Sequence, residues 1–355
     1  MKKILITGGC GFVGSNLGIK LKGKYPNYEI ICFDNLKRRG SELNIVRLKE
    51  VGVLFIHGDI RNTEDFDLLP NDITTLIDAS AEPSVLAGLD CTPNYLVHTN
   101  YNGTLNCLNF AKKFGSDFLF LSTSRIYPIP HLENIQYIEG DTRFEISPLQ
   151  KVPGINQQGI SENFPLEGHR SLYGATKLGS ELLVSEYQAY MNIRTVVNRF
   201  GVITGPYQMG KVDQGVIVLW AAKHFWKKEL NYIGFGGMGK QVRDVLHIND
   251  VFDLIDYQIH HMESVNGKTM NAGGGPNVST SLLELTALCE EVIGNKIKIE
   301  SVAETRPADV PIYITNNSYV TELCNWEPKR DLHTIMKDVF HWIRDNEASL
   351  RPLLA

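Results

Sequence analysis

No two cysteines of the chain stand at CxxC spacing. The six present, Cys10, Cys32, Cys91, Cys107, Cys289 and Cys324, are scattered through 355 residues. That argues against a disulfide framework and a structural zinc site, and suits a reducing compartment. No histidine, including His247, His260 and His261, shows ligand spacing with acids, so no metal is expected. Nowhere does an apolar run reach the ~20 residues that a spanning helix needs. The first run, Ile4–Ile6, is too short for a signal peptide, and glycines break it at once. Basic blocks are missing too. The net charge is −5, and the densest cluster, Lys37-Arg38-Arg39, reads as a solvated turn, so nucleic acid is not an expected partner. Repeats and low-complexity linkers are also lacking. What remains is a cytoplasmic, soluble globular chain that needs no membrane.

Its length predicts about two domains with a sizeable core. A hydrophobic fraction of 43% against 21% charged residues excludes disorder. Short apolar runs at Ile4–Ile6, Ile30–Phe33, Leu54–Ile56, Thr75–Asp78, Phe118–Leu121 and Thr195–Asn198 read as buried parallel strands. Helix-period segments lie between them at Phe12–Lys22, Asn100–Lys113 and Leu172–Tyr190. This alternation predicts an α/β fold, a Rossmann-type doubly wound parallel sheet with a smaller mixed α/β C-terminal substrate lobe. The expected boundaries are 1–205 for the sheet domain, with 240–275 returning to it, and 206–239 plus 276–355 for the lobe. Helices are expected there at Gln214–Lys227 and Thr280–Ile293. Residues 128–170, rich in turn formers, read as a long excursion over the surface, either functional or holding small elements of its own.

Chemistry enters at Thr7-Gly8-Gly9-Cys10-Gly11-Phe12-Val13-Gly14, between a strand and a helix. Gly8 permits a tight turn, Gly11 lets backbone approach a pyrophosphate, and Gly14 lets helix and strand pack closely. The helix end then offers free N–H groups to phosphates. A structural turn could use the same glycines. The second strand, however, ends at Asp34, 20 residues after Gly14, where an acid would take the adenosine ribose hydroxyls. A carboxylate there repels a 2′-phosphate and favours NAD over NADP, although Arg38 and Arg39 lie near. Asp59-Ile60, ending the third strand, is placed to flank adenine, or Asp59 is simply a turn residue.

A second signal is Tyr173-Gly-Ala-Thr-Lys177, whose outer members share one helix face. A lysine ammonium beside a phenol favours the phenolate and makes a general acid/base. Alone, such a pair is usually an incidental surface pair. Its weight comes from Leu121-Ser-Thr-Ser-Arg-Ile-Tyr127, which ends a strand at the ligand edge and offers a hydroxyl to a substrate alcohol.

Together with Asn100-x-x-Gly103-Thr104, these motifs resemble the extended short-chain dehydrogenase/reductase superfamily, which contains the nucleotide-sugar epimerases and dehydratases. The resemblance covers nearly the whole chain. Phe33-Asp-Asn-Leu36, His57-Gly-Asp-Ile-Arg-Asn62, Asp213-Gln-Gly215 and Gly239–His247 narrow it to the CDP-paratose (CDP-tyvelose) 2-epimerase branch. It implies Thr123, Tyr173 and Lys177 as the catalytic set, with Lys177 also holding the nicotinamide ribose. For NAD it implies Gly8, Gly11, Phe12, Val13, Gly14, Asp34, Asn35, Asp59, Ile60, Ala79, Ala81 and Asn100. For a nucleotide-sugar substrate it implies Ser84, Thr123, Ser124, Arg125, Gln214, Arg243, Arg306 and Asp309. An Arg offers a fork of donors to phosphate oxygens; the bland alternative for each is a surface ion pair. The resemblance also implies a homodimer, through Asn100–Lys113 and Leu172–Tyr190.

Three positions depart from the family. Dehydratases place Asp-Glu after the catalytic Thr, where Ser124 and Arg125 stand, which disfavours water elimination. Val202 replaces a substrate-contacting Asn, and Asp78 replaces a strand-end His. The 128–170 excursion is also longer than the branch has. The expected function is NAD-dependent epimerisation of a nucleotide sugar through a transient ketone, at carbon 2 of a CDP-linked deoxyhexose. Its rivals are a UDP-sugar 4-epimerase on the same scaffold and a non-catalytic NAD(H)-binding sensor, which would not need Thr123, Tyr173 and Lys177 all intact. A deprotonation route using Asp78 and Glu82 ranks below direct hydride return.

Overall fold

Strand and helix alternate as the periodicity requires in the computed structural model, which describes residues 2–89, 92–210 and 214–354. Cys91 and Asp213 therefore lie outside the described residues. The first half runs β1 (Lys3–Thr7), α1 (Phe12–Lys24), β2 (Glu29–Asp34), α2 (Leu43–Glu50), β3 (Leu54–His57), β4 (Thr75–Asp78), α3 (Gly103–Phe114) and β5 (Asp117–Thr123). After an excursion come α4 (Leu172–Tyr190) and β6 (Thr195–Phe200). Seven strands form one sheet in the order Lys268–Ala272, β6, β5, β4, β1, β2, β3. The pairings of β1 with β2 and β4, of β2 with β3 and of β4 with β5 are all parallel. The order reverses at β1, and ligands of such sheets bind at the strand ends beside that switch.

Two compact units result. The first comprises residues 1–123, 172–199 and 252–270, and the second 124–171, 200–251 and 271–355. The first is held by a core in which the tilted rings of Phe33, Phe66 and Phe110 pack at 5.6 and 5.7 Å between centroids. Burying each phenyl contributes about 1.5–3 kcal/mol. Helix α3 stops where Gly115 takes φ +71, a left-handed cap open to glycine.

In the second unit helices Val216–Phe225, Leu282–Ile293 and Leu332–Asp345 enclose Trp220, Cys289, Met336 and Trp342. Helix Leu282–Ile293 opens with a capping box between Ser281 and Glu284, which satisfies two orphan N–H groups. Strand Val242–His247 runs parallel to Val202–Thr204 and Ile312–Tyr313 and antiparallel to Ser279–Ser281.

The excursion holds two hairpins, Tyr137–Glu139 with Phe144–Ile146 and Ile155–Asn156 with Gly159–Ile160. It does not merely cross a surface. Phe144, Ile146, Ile160 and Phe164 are buried. The Phe144 N–H donates to Lys240 O and the Ile160 N–H to Ile314 O. Such pairing is why 124–171 belongs to the second unit, whereas the boundaries read from sequence ran to 205 and returned 240–275. Among the described residues no helix is long and apolar enough to cross a membrane.

Asp244 is fully buried on strand Val242–His247 and accepts the Gly275 N–H at 3.2 Å. A Cβ on Gly273 would lie 2.1 Å from its Oδ2, so glycine is required beside it. Burial pushes the carboxyl up to about 6 despite that hydrogen bond. Its contribution to folding is therefore complete below its unfolded value of 3.8 and lost as pH rises through about 6. Asp244→Asn should gain about 2 kcal/mol on the native protein as pH rises from about 4 to about 6. Thermal denaturation of the two proteins in parallel checks this, and a constant difference across that interval would contradict it.

Candidate active site

The β1–α1 turn is shaped by lack of room. Gly8 has φ +64, and a Cβ on it would meet Ala79 O at 2.8 Å. A Cβ on Gly14 would lie 2.3 Å from Gly8 O, and one on Gly9 2.4 Å from Cys32 Cβ. The sequence reading gave Gly9 no such role. The Gly11 N–H closes the turn on Gly8 O at 2.9 Å. Helix α1 then starts with no side-chain cap and no acid in its first turn, so its N–H groups and positive end are open to an anion. These residues fit a dinucleotide pyrophosphate. Phe12 and Val13 in that first turn, and Ala79 and Ala81 after β4, are partly exposed.

Asp34 ends β2 against this turn. Its Oδ2 accepts the Cys10 N–H at 3.0 Å and its Oδ1 the Leu36 N–H at 2.7 Å. Burial raises its carboxyl above the usual range, and those N–H groups resist. Each oxygen keeps a lone pair for a further donor, which fits a ribose diol. Asp59 is more committed. Burial alone would raise its carboxyl, but the Arg61 guanidinium and the Asn35 amide hold it at about 2. Arg61 also lies over the Tyr95 ring at 4.7 Å. Neither Arg61 nor Tyr95 was singled out from sequence.

The Asn100-x-x-Gly103-Thr104 motif forms a brace. Asn100 Oδ1 accepts the Glu82 N–H at 2.7 Å, and its Nδ2 donates to Glu82 O and Thr176 Oγ1. The amide thus ties the loop that carries Ser84 to α4. Gly103 is needed because a Cβ there would meet Ile60 Cδ1 at 2.4 Å. Residues His98–Asn102 form a π-turn before α3, a feature frequent at functional sites. The Thr104 hydroxyl lies 2.8 Å from Asp78 Oδ2 and 3.0 Å from Asn100 O; the carboxylate is the stronger acceptor. Thr7 donates to Asp78 Oδ1 at 2.8 Å. These bonds leave Asp78, at 0% exposure, badly placed as a free base.

Thr123 is the last residue of β5, and Tyr173 and Lys177 lie in the first two turns of α4, which packs on β5. All three are in the first unit and buried. The Lys177 ammonium stands 3.9 Å from the Phe120 ring centroid, and no hydrogen bond reaches it among the described residues. Burial pulls Lys177 down to about 8, with Asp78, Glu181 and Cys107 resisting. One turn further, Glu181 makes a buried bidentate pair with Arg199, 2.8 Å at its shortest, and accepts the Ser122 hydroxyl. Sequence reasoning missed this network. Its signals were the charge in the otherwise buried run of β6 and the i+4 spacing from Lys177.

The remaining substrate candidates belong to the second unit. Ser124 opens a short 3₁₀ turn, and Arg125 donates to Ala308 O at 3.2 Å. Arg243 donates to Asp309 Oδ1 and Val310 O, both at 2.6 Å. Burial lowers its guanidinium to about 10, with Asp309 opposing and Arg125 adding to the fall. Arg306 O accepts the Asp309 N–H, closing a turn in which Ala308 has φ +63. Gln214 is partly buried.

Gly14→Ala should weaken dinucleotide binding at least tenfold, about 1.4 kcal/mol, because the new methyl must displace Gly8 O. The control is Gly23→Ala in the same helix, where a Cβ meets nothing within 4 Å. Calorimetry giving equal affinities for the two variants would reject this account of the turn.

Known proteins are similar to this chain over nearly its whole length. A CDP-paratose 2-epimerase from Salmonella typhi is 30% identical over 354 residues, covering 96% of this chain and 98% of that protein. A putative UDP-glucose 4-epimerase from Methanocaldococcus jannaschii is 28% identical over 348 residues, with 97% and 99% covered. The solved structure of a dTDP-glucose 4,6-dehydratase from Bacillus anthracis, in complex with NAD, superposes with a TM-score of 0.77 at 25% identity, covering 99% and 100%. Residues 4–273 match the family model for NAD dependent epimerases and dehydratases, and with most of its length so matched the chain belongs to the NAD dependent epimerase/dehydratase family.

Proposed function

We propose that the protein epimerises a nucleotide sugar with NAD as cofactor, by way of a transient keto sugar, at carbon 2 of a CDP-linked deoxyhexose of the CDP-paratose/CDP-tyvelose type. The observation that carries this reading is the buried Lys177 ammonium, lacking a hydrogen bond, one helical turn after Tyr173 and over the Phe120 ring of β5. The glycine turn, Asp34, Asn35 and Ile60 would hold the cofactor's pyrophosphate and adenosine, and Lys177 its nicotinamide ribose. NAD, when bound, supplies a reversible hydride acceptor, so the net redox change is zero.

Tyr173 as phenolate takes the proton of the sugar hydroxyl, through or beside the Thr123 hydroxyl, and later returns it. Lys177 steadies the phenolate by its charge. The ketone turns its other face before reduction, and the centre is inverted. Arg125 and Arg243 would offer guanidinium forks to the oxygens of a diphosphate, with Asp309 and Asp244 as the acids beside them. Ser124 and Arg125 offer no acid/base pair for water elimination, which sets the dehydratase activity aside. Epimerisation at carbon 4 of a UDP-sugar would use the same residues in another pose, a reading favoured by the likeness to the putative UDP-glucose 4-epimerase.

Tyr173→Phe should lower turnover roughly 10²–10⁴-fold while NAD stays bound, since only proton transfer is removed. Release of NAD on denaturation, read by chromatography, and steady-state rates check both halves; an undiminished rate would move the acid/base role elsewhere.

Incubation with CDP-, UDP-, GDP- and dTDP-sugars in deuterium oxide, followed by NMR, tests the reaction and the substrate together. The expected outcome is a C2 epimer of a CDP-deoxyhexose, formed without added cofactor and carrying no deuterium at the inverted carbon. A C4 epimer of a UDP-sugar would establish the second reading. Stoichiometric deuterium at the inverted carbon would replace direct hydride return by deprotonation.

A further inference from the structure

Thr7, Asp78 and Phe120 lie side by side on β1, β4 and β5, so their side chains leave one face of the sheet. Helices α3 and α4 cover that face: Thr104 reaches Asp78, and the Lys177 ammonium lies on Phe120. Asp78 and Lys177 are thereby shut in one compartment, at 0% and 1% exposure. Asp78 takes the hydroxyls of Thr7 and Thr104 and the Ser80 N–H at 3.2 Å. Three donors around two oxygens suit a carboxylate.

The charges facing Lys177 can be sorted by element. Glu181 on α4 is spoken for by the Arg199 guanidinium of β6 and the Ser122 hydroxyl. Cys107 on α3 is a buried thiol that burial pushes up, away from thiolate. Tyr173, on the same face of α4, is a neutral phenol until it gives up its proton. Asp78 on β4 is the carboxylate left with no cation of its own, and it opposes most strongly the fall that burial imposes on Lys177.

We propose that Asp78 is a positioning residue whose carboxylate is the counter-charge that keeps the Lys177 ammonium charged against the Phe120 ring. It acts through Lys177, touching neither substrate nor cofactor. The inference rests on the reading above only for what the charged Lys177 then does for Tyr173 and the ribose.

The test is the titration of Lys177 itself, followed by NMR of protein labelled with ¹³C at the lysine ε carbon. The Lys177 resonance is identified by its loss in Lys177→Arg. In Asp78→Asn its midpoint should fall by about one pH unit or more, and the alkaline limb of the rate profile should move down with it. An unchanged midpoint would overturn the proposal and leave Asp78 a structural brace. A thermal double-mutant cycle at neutral pH covers a poorly folding Asp78→Asn. Lys177→Met strands a buried carboxylate, so the further change Asp78→Asn should restore much of the lost melting temperature; additive losses would overturn the pairing. Absence of NAD binding or epimerisation would remove the functional reading while leaving both measurements in force.

Discussion

Helix α4 meets the sheet through polar groups that cannot be left alone. Lys177, Ser180 and Glu181 are all buried on it, and buried polar groups demand partners. Ser180 donates to Asn100 O at 2.7 Å, Thr176 accepts the Asn100 amide, and Glu181 takes Arg199 and Ser122. Turning the helix by one residue would strand a charge, at a cost of about 3–5 kcal/mol. Its rotation is therefore fixed, and with it the direction of Tyr173. The same bonds reach outward. Asn100 fixes the loop after β4, and Thr104 reaches the Asp78 that Thr7 holds from β1. The turn that shapes the dinucleotide site and the helix that carries the phenol belong to one hydrogen-bonded frame.

Features set by nearest neighbours in the chain were readable from sequence. The glycine turn, the strands and the Tyr173–Lys177 spacing follow from local rules of backbone space and helical period, and they stand where those rules put them. The Glu181–Arg199 pair was not readable as a pair. A charge within the buried run of β6 announces a partner without naming it, because the partner comes from another element 18 residues away. Asp78 was visible only as an oddity of type; its partners come from β1 and α3. The excursion does hold the small elements allowed for it, but their burial was not readable, because its apolar residues, Phe144, Ile146, Ile160 and Phe164, follow no period. Isolated bulky residues in turn-rich sequence look like loop until their partners are known.

Arg243 of the second unit follows a different logic from Arg199 of the first. Arg199 is matched by a bidentate acid and serves architecture, whereas Arg243 spends two of its donors on backbone carbonyls and shares Asp309. Carbonyls thus fix the geometry of Arg243, and Asp309 pairs with its charge at 2.6 Å. Both read as a lone Arg in a strand, and only the fold shows that their partners differ in kind.

The two units are interleaved: each is assembled from three stretches of chain, and the first is complete only with residues 252–270. Synthesis from the N-terminus therefore delivers the dinucleotide turn and most of the sheet long before strand Lys268–Ala272 can join it. The nascent chain carries an unfinished sheet edge at β5 while the excursion is still being made, and another at β6 afterwards. Such edges are exposed to wrong pairing during biosynthesis. Neither unit could be excised as a contiguous fragment, so in the cell this fold is made whole or left open to aggregation.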